Sequence, residues 1–333
     1  MMAERHHVFV FRKVLFHERI AEILAPVADV SFHDTEDPPP EAAVRARLPG
    51  VAGLIPSSLD PVTAPMMAAA PGLRVVGNYG VGYNNVDVAA ATARRIPVTN
   101  TPGVLTEATA DTTWTLLLAA ARRAVEADAY VRAGRFDGWR GSLFPGMELN
   151  GKALGIIGLG LIGQAVARRA LGFGMRVIYA SRRRAAPEAE RALQARFVPL
   201  EDLLRGADIV SLHCPLTPET RHLLDARRLA LMKPTALLIN TARGPVVDER
   251  ALVEALRARR IAGAGLDVYE EEPTLAPGLA ELPTVVLFPH IGSSTLTARE
   301  GMARLAAENV RAALEGRRPP NLVNPQVWPA AGP

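Results

Sequence analysis

Three polar side chains sit just past the ends of successive apolar runs in the second half of the chain. Arg243 follows Ala236 to Ile239 in INTARGPVVD, Glu272 follows Ala262 to Leu266 in GLDVYEEEP, and His290 follows Val285 to Phe288 in LFPHIGSS. Short apolar runs bounded by turn formers read as buried strands, and in an open parallel sheet the carboxyl ends of the strands face the ligand crevice. The three residue types complement one another chemically. A guanidinium holds a carboxylate at two points and polarises a neighbouring carbonyl oxygen. An imidazole titrates near neutrality and delivers a proton to a developing alkoxide. A carboxylate bonded to the other ring nitrogen selects the tautomer and favours the protonated ring. Together they suit reduction of a 2-oxo acid by a hydride donor. Singly each has a blander reading: an ion-paired arginine, a loop carboxylate, a core histidine.

A site for such a donor lies upstream in GKALGIIGLGLIGQAVARRALGFGMRVIYAS, which holds Gly158-x-Gly160-x-x-Gly163 between the run Ala153 to Ile157 and a helical pattern with Ile162, Val166 and Ala170 on one face. The first glycine allows a tight turn, the second lets a pyrophosphate approach the backbone, and the third lets the helix pack on the strand. The free amides at that helix start bind phosphate. At the end of the next strand, where an acidic residue usually meets the ribose 2′-hydroxyl, this chain has Ser181, Arg182, Arg183 and Arg184. Guanidinium forks match a 2′-phosphate, so the stretch predicts NADP(H). The alternative is that these arginines merely open a solvated helix, which leaves NAD(H) open.

The elements around these residues alternate short apolar runs with helical patterns. His7 to Phe11, Val51 to Ile55, Leu73 to Val76 and Ile96 to Thr99 read as strands in the N-terminal part; Ala153 to Ile157, Arg176 to Ala180 and Ile209 to Leu212 precede the three strands already named. That rhythm predicts an α/β fold of parallel sheets covered by helices on both faces. Two long helical patterns, Thr109 to Ala133 and Leu296 to Glu315, lie beside turn-rich hinges near Thr101-Pro102 and Gly292-Ser293. If the chain crosses at these hinges, residues 102–292 form a Rossmann-type dinucleotide-binding domain inserted into a discontinuous substrate domain of residues 1–101 and 293–333, each a doubly wound parallel sheet.

Composition narrows the class. The chain has 333 residues, enough for two domains, and its net charge of +4 comes almost wholly from arginine, since Lys13, Lys152 and Lys233 are its only lysines. The arginines are spread over helical stretches without an aromatic interleave, which argues against nucleic-acid binding. Cys214 is the lone cysteine, so neither a disulfide framework nor a cysteine metal site is expected, and a reducing, cytoplasmic setting is the simplest reading. The start, MMAERHHVFVF, lacks the long apolar segment of a signal peptide or membrane span.

The segments NYGVGYNNVD, NTPGVLTEATAD, GIIGLGLIGQAVARRA, LINTARGPVVDE, AGAGLDVYEEEP and PHIGSS, in this order, resemble the D-2-hydroxyacid dehydrogenase family, in particular its glyoxylate/hydroxypyruvate reductase branch. The resemblance spans about residues 8 to 325. It implies a Rossmann-type domain within a flavodoxin-like one, and reduction of a small 2-oxo acid such as glyoxylate or hydroxypyruvate to the D-2-hydroxy acid. Arg243, Glu272 and His290 match the family's substrate arginine, the histidine's partner and the acid/base; Glu272 is preferred to Glu270 and Glu271 because it directly precedes Pro273 as in the family. Val81 and Gly82 match a loop whose amides bind the substrate carboxylate. Asp267 matches a residue that orients the nicotinamide carboxamide. Leu161, Ile162, Thr241, Ala242, Gly292 and the loop Cys214-Pro215 match positions along the cofactor, with Cys214 packing rather than reacting. Trp139 resembles a tryptophan that reaches a neighbouring subunit, with a core or interface position equally open. A homodimer is implied. Sister readings remain: D-3-phosphoglycerate dehydrogenase, phosphite dehydrogenase, or a nucleotide-sensing corepressor of the same fold.

Overall fold

The apolar runs become strands of two parallel sheets. In chain order the strands are β1 His6–Val10, β2 Ala28–Phe32, β3 Gly53–Ile55, β4 Val75–Gly77, β5 Val98–Thr99, β6 Ala153–Ile157, β7 Arg176–Ala180, β8 Ala195–Phe197, β9 Ile209–Leu212, β10 Leu237–Asn240, β11 Gly263–Leu266 and β12 Val285–Leu287. The computed structural model describes residues 5–328. It divides the chain into two units: one runs to Leu105 and resumes at Ser294, and the other is Thr106–Ser293.

The first unit holds a sheet of order β2-β1-β3-β4-β5, the flavodoxin-like order, whose switch point lies between β1 and β3. The helix Leu296–Leu314 lies against it. A Cβ at Gly77 would collide with Val310 of that helix, so the glycine permits the close approach. The second unit holds a sheet of order β12-β11-β10-β9-β6-β7-β8 with its switch point between β6 and β9. Strands β6, β9, β10 and β11 are buried at every residue, as expected of parallel strands covered on both faces.

Two strands carried no apolar run. β2 and β8 are edge strands, partly open to solvent, so their sequences ADVSF and ARF lack the continuous apolar signature. The pattern from Thr109 to Ala133, expected as one helix, is two, Thr106–Ala121 and Ala124–Arg132. Between them Arg123 takes a left-handed φ of 54°, and its guanidinium donates to both oxygens of Glu126 at 2.9 and 2.8 Å. The Met147 amide donates to the Ala121 carbonyl at 2.7 Å and so ties off the first helix. Gly146 allows this, since a Cβ there would stand 2.5 Å from that oxygen. The second helix buries none of its residues, and the segment after it leaves Phe136 and Trp139 exposed, Trp139 at 88 %. Trp139 is therefore not a core residue of its own chain. Among the described residues no helix is long and apolar enough to cross a membrane.

Candidate active site

In the second unit the glycine motif opens the helix Leu161–Gly172 directly after β6. Gly158 has φ 97°, and a Cβ on it would lie 2.7 Å from the His213 carbonyl, because the β6 and β9 turns crowd together at the switch point. A Cβ on Gly163 would collide with the Gly158 oxygen, so helix and turn touch through backbone alone. Gly160 is different: a Cβ there would meet nothing within 4 Å. Its place is open space at a helix start without a side-chain cap. The amides of Leu161, Ile162 and Gly163 precede the first intrahelical bond, from Gln164 N to Gly160 O at 2.9 Å, and remain available to an anion. An open approach, uncapped donors and the positive end of a helix dipole fit a dinucleotide pyrophosphate.

The end of β7 is basic. Ser181 turns inward, its hydroxyl donating to the Arg183 carbonyl at 2.6 Å. Arg184, expected to support the phosphate site, instead donates from Nε and Nη2 to the two oxygens of Glu190, both at 2.9 Å. The Tyr179 hydroxyl donates to the same carboxylate at 2.6 Å, and these bonds hold Glu190 well down, at about 2. Arg182 and Arg183 are exposed and make no hydrogen bond or ion pair among the described residues, apart from a long-range pull by Arg182 on Glu219. Of the three arginines in this stretch, these two keep guanidinium groups without a partner among the described residues.

After β9, His213 is half-buried and shares a 2.8 Å hydrogen bond with Ser211, and its desolvation lowers it to about 3, so it stays neutral. Burial pushes the Cys214 thiol up to about 11, where it is protonated and inert, as packing requires. The Pro215 carbonyl accepts a 2.7 Å bond from Thr220 Oγ1, which shapes that loop.

Beyond β10 the turn is built by Asn240, whose Oδ1 accepts from the Ala242 amide and whose Nδ2 donates to the Arg243 carbonyl, both at 3.0 Å. Thr241 is buried and bonds Thr113 between hydroxyls at 2.8 Å. Arg243 donates from Nη1 to the Ala242 carbonyl at 2.7 Å. Burial lowers its guanidinium and the Glu272 charge raises it; arginine still stays charged at every physiological pH. Gly244 brings the turn against the loop after β11, since a Cβ there would collide with the Tyr269 carbonyl.

Of the three consecutive glutamates, Glu272 faces His290. Its Oε2 pairs with His290 Nδ1 at 2.8 Å, while Oε1 accepts from the Tyr269 amide at 3.0 Å. Glu270 turns the other way, to His222 Nε2 at 2.5 Å and the Glu249 amide at 3.2 Å. Burial raises the Glu272 carboxyl, but the His290 bond and charge, the Tyr269 amide and Arg243 outweigh it and hold it below the usual carboxylate range. His290 has a left-handed φ of 56°, and its Nε2 makes no hydrogen bond among the described residues. The turn that holds it so is clamped by Asp267, whose two oxygens accept the Ile291 and Gly292 amides at 2.7 Å each. Burial raises Asp267 despite those amides. Gly292 is needed here, because a Cβ would stand 2.9 Å from Asp267 Oδ2. The Tyr269 hydroxyl donates to the Phe288 carbonyl at 2.7 Å and fastens the end of β12.

This is a dinucleotide-type helix start and a buried-side carboxylate–imidazole pair with an arginine in electrostatic reach, all on one sheet. The D-isomer specific 2-hydroxyacid dehydrogenase NAD binding domain model matches residues 114–292. The chain belongs to the D-isomer specific 2-hydroxyacid dehydrogenase family. Among relatives of this dehydrogenase, glyoxylate reductase of Thermococcus litoralis is 48% identical over 98% of this chain and 99% of its own, and that of Thermococcus gammatolerans is 50% identical over 96% of each. A crystal structure of an NADPH-dependent glyoxylate/hydroxypyruvate reductase from Sinorhizobium meliloti, in complex with NADP and malonate, matches with a TM-score of 0.86 at 34% identity, covering 99% of this chain and 100% of that one. A Thermus thermophilus protein matches with a TM-score of 0.87 at 49% identity, over 95% of this chain and 99% of its own. The dehydrogenase thus uses NAD(P)(H).

Val81 and Gly82 belong to the first unit, in the loop after β4. Their amides donate no hydrogen bond among the described residues, whereas their carbonyls are both engaged, Val81 O by Asn100 Nδ2 at 2.8 Å and Gly82 O by Asn78 Nδ2 at 2.9 Å. Sequence reasoning missed Asn78, Asn100 and Asn240. Each flanks a strand end, which is the signal that was there to be read, but an asparagine in a turn is too common to single out.

Proposed function

We propose that this dehydrogenase reduces glyoxylate and hydroxypyruvate to glycolate and D-glycerate, with NADPH preferred over NADH. The observation that carries the chemistry is the Glu272–His290 pair. A carboxylate on Nδ1 leaves Nε2 as the nitrogen that gives up a proton, and Nε2 has no competing partner among the described residues. When bound, the nicotinamide supplies the hydride. The chain's own residues do the rest: His290 protonates the nascent alkoxide, Glu272 holds the ring and balances its charge, and Arg243 binds and polarises the 2-oxo acid. The amides of Val81 and Gly82 bind the substrate carboxylate. Asp267 holds the turn that carries His290 and would orient the carboxamide. Gly158, Gly160 and the amides of Leu161, Ile162 and Gly163 would hold the pyrophosphate, with Thr241, Ala242, Cys214, Pro215 and Gly292 lining the rest of the cofactor.

The NADPH preference rests on the lack of a carboxylate at Ser181 and on two unpaired guanidinium groups, Arg182 and Arg183, with Arg184 tied to Glu190. It also agrees with the NADPH dependence of the Sinorhizobium meliloti reductase. A cytoplasmic homodimer is our reading of the assembly. A helix that buries none of its residues, together with exposed Val125, Val131, Phe136 and Trp139, supports that reading. Small substrates are separated weakly, since one methylene changes discrimination by roughly 1–3 kcal/mol, so activity on several 2-oxo acids is expected. Initial rates with glyoxylate, hydroxypyruvate and pyruvate against NADPH and NADH test the proposal. Absence of turnover with all three under both coenzymes would end it.

A further inference from the structure

The loop Gly80–Gly82 is held in a particular way. The Gly80 carbonyl accepts from the Thr101 amide at 3.0 Å and from Asn78 Nδ2 at 3.3 Å. The Val81 carbonyl accepts from Asn100 Nδ2 at 2.8 Å, and the Gly82 carbonyl from Asn78 Nδ2 at 2.9 Å. Three successive carbonyls are thus tied down by donors of the same unit. In a trans peptide the C=O and the N–H of one plane point in opposite directions. Fixing the Gly80 carbonyl therefore turns the Val81 amide away from the anchor, and fixing the Val81 carbonyl does the same for the Gly82 amide. Neither amide has a partner among the described residues.

The anchors are themselves anchored. Asn78 is fully buried, and its Oδ1 accepts from Asn85 Nδ2 at 3.0 Å. Asn85 Nδ2 also reaches the carbonyls of Ser57 and Asp60, both at 2.9 Å. Asp60 is buried and takes the Arg12 guanidinium through both oxygens, at 2.6 to 3.0 Å, and the Ser57 amide at 2.9 Å. All three acceptors around Asn85 Nδ2 are oxygens, so the amide cannot be turned over, and its Oδ1 stays buried without a partner. Leaving an acceptor unsatisfied costs stability.

We infer that Asn78 and Asn100 are positioning residues for substrate binding: their side-chain amides tie back the carbonyls of Gly80 and Val81 so that the Val81 and Gly82 amides form a donor-only cradle for a carboxylate. The inference rests on the reading of those two amides as the substrate carboxylate site. The cradle reads the carboxylate and not the rest of the substrate. Its loss therefore weakens every 2-oxo acid by the same factor.

The test is Asn100→Ala in the full-length protein, with KM and kcat for glyoxylate and for pyruvate, and NADPH affinity by fluorescence titration. Losing one hydrogen-bonded tether predicts KM higher by roughly five- to tenfold for both substrates, a smaller fall in kcat, and an NADPH dissociation constant within twofold of the parent. A merely structural role would instead lower the melting temperature and disturb NADPH binding and kcat together, and that pattern overturns the inference. If the alanine variant does not fold, Asn100→Asp is read in its place, since it keeps the shape but turns a donor into an acceptor facing the Val81 carbonyl; an unchanged KM there overturns the inference too. Val81→Pro, which deletes one cradle N–H, separates the two levels. If Val81→Pro raises KM and the Asn100 variants do not, the carboxylate site stands and the positioning role falls. If neither moves KM, the carboxylate site itself is misassigned.

Discussion

Replacing Glu272 with glutamine tests how much the imidazole depends on its partner. The pair is 2.8 Å apart, with side-chain exposures of 26% for His290 and 16% for Glu272, so solvent screens it only in part. Glutamine keeps the volume and one oxygen for the Tyr269 amide, which Glu272 holds at 3.0 Å. With that oxygen engaged, the glutamine amide nitrogen faces Nδ1, and a donor then meets a donor whenever the ring carries both protons. One charge-assisted hydrogen bond is worth about 1.5–3 kcal/mol. At about 1.36 kcal/mol per tenfold in rate, that predicts a fall in kcat/KM for glyoxylate of roughly tenfold to somewhat over a hundredfold. The assay is kcat/KM from pH 5.5 to pH 9, with NADPH affinity and thermal melting measured alongside. NADPH binding is expected to hold, because none of the glycine-motif amides contacts Glu272. A variant that folds, binds NADPH and keeps kcat/KM within threefold of the parent over the whole range would refute the assignment of Glu272 as the partner that prepares His290.

Three further outcomes are expected. Gly160→Ala should melt with the parent, since a Cβ there meets nothing, yet bind NADPH at least tenfold more weakly because the methyl occupies the phosphate approach; Gly163→Ala should lower the melting temperature or fail to fold, because its Cβ strikes the Gly158 carbonyl. Neutralising Arg182 and Arg183 together should weaken NADPH by roughly tenfold or more and spare NADH, and equal losses for both coenzymes would remove the 2′-phosphate role. The acid side of the stability curve follows from Glu272, whose carboxyl lies below its ordinary 4.5 in the folded chain. Its contribution is fully present above that ordinary value and disappears as the pH falls through the lower folded value. The parent should therefore lose more melting temperature on acidification from about pH 5.5 to about pH 3.5 than Glu272→Gln, whose amide does not titrate. Parallel losses would contradict the depressed carboxyl.

The amino-acid sequence alone determined whatever depends on a residue's immediate neighbours. Buried strands such as Ala153–Ile157 announce themselves as apolar runs, and the glycine triplet follows one and opens a helix, so its chemistry was legible before any coordinates. The placement of Arg243, Glu272 and His290 was legible for the same reason, each lying past the end of a buried strand. Tertiary structure decided what depends on partners far along the chain. Spacing alone does not say which of three adjacent glutamates meets His290; the tie of Glu270 to His222 and the Glu249 amide, and of Glu272 to Tyr269, does. Nor does local sequence reveal that Arg184 answers to Glu190, or that the helix after the first hinge stops where Met147 caps Ala121. Edge strands β2 and β8 escaped because half-exposed strands need no apolar run. The asparagines behind Val81 and Gly82 escaped because a side-chain amide declares its role only when the carbonyl it holds has been brought to it by the fold.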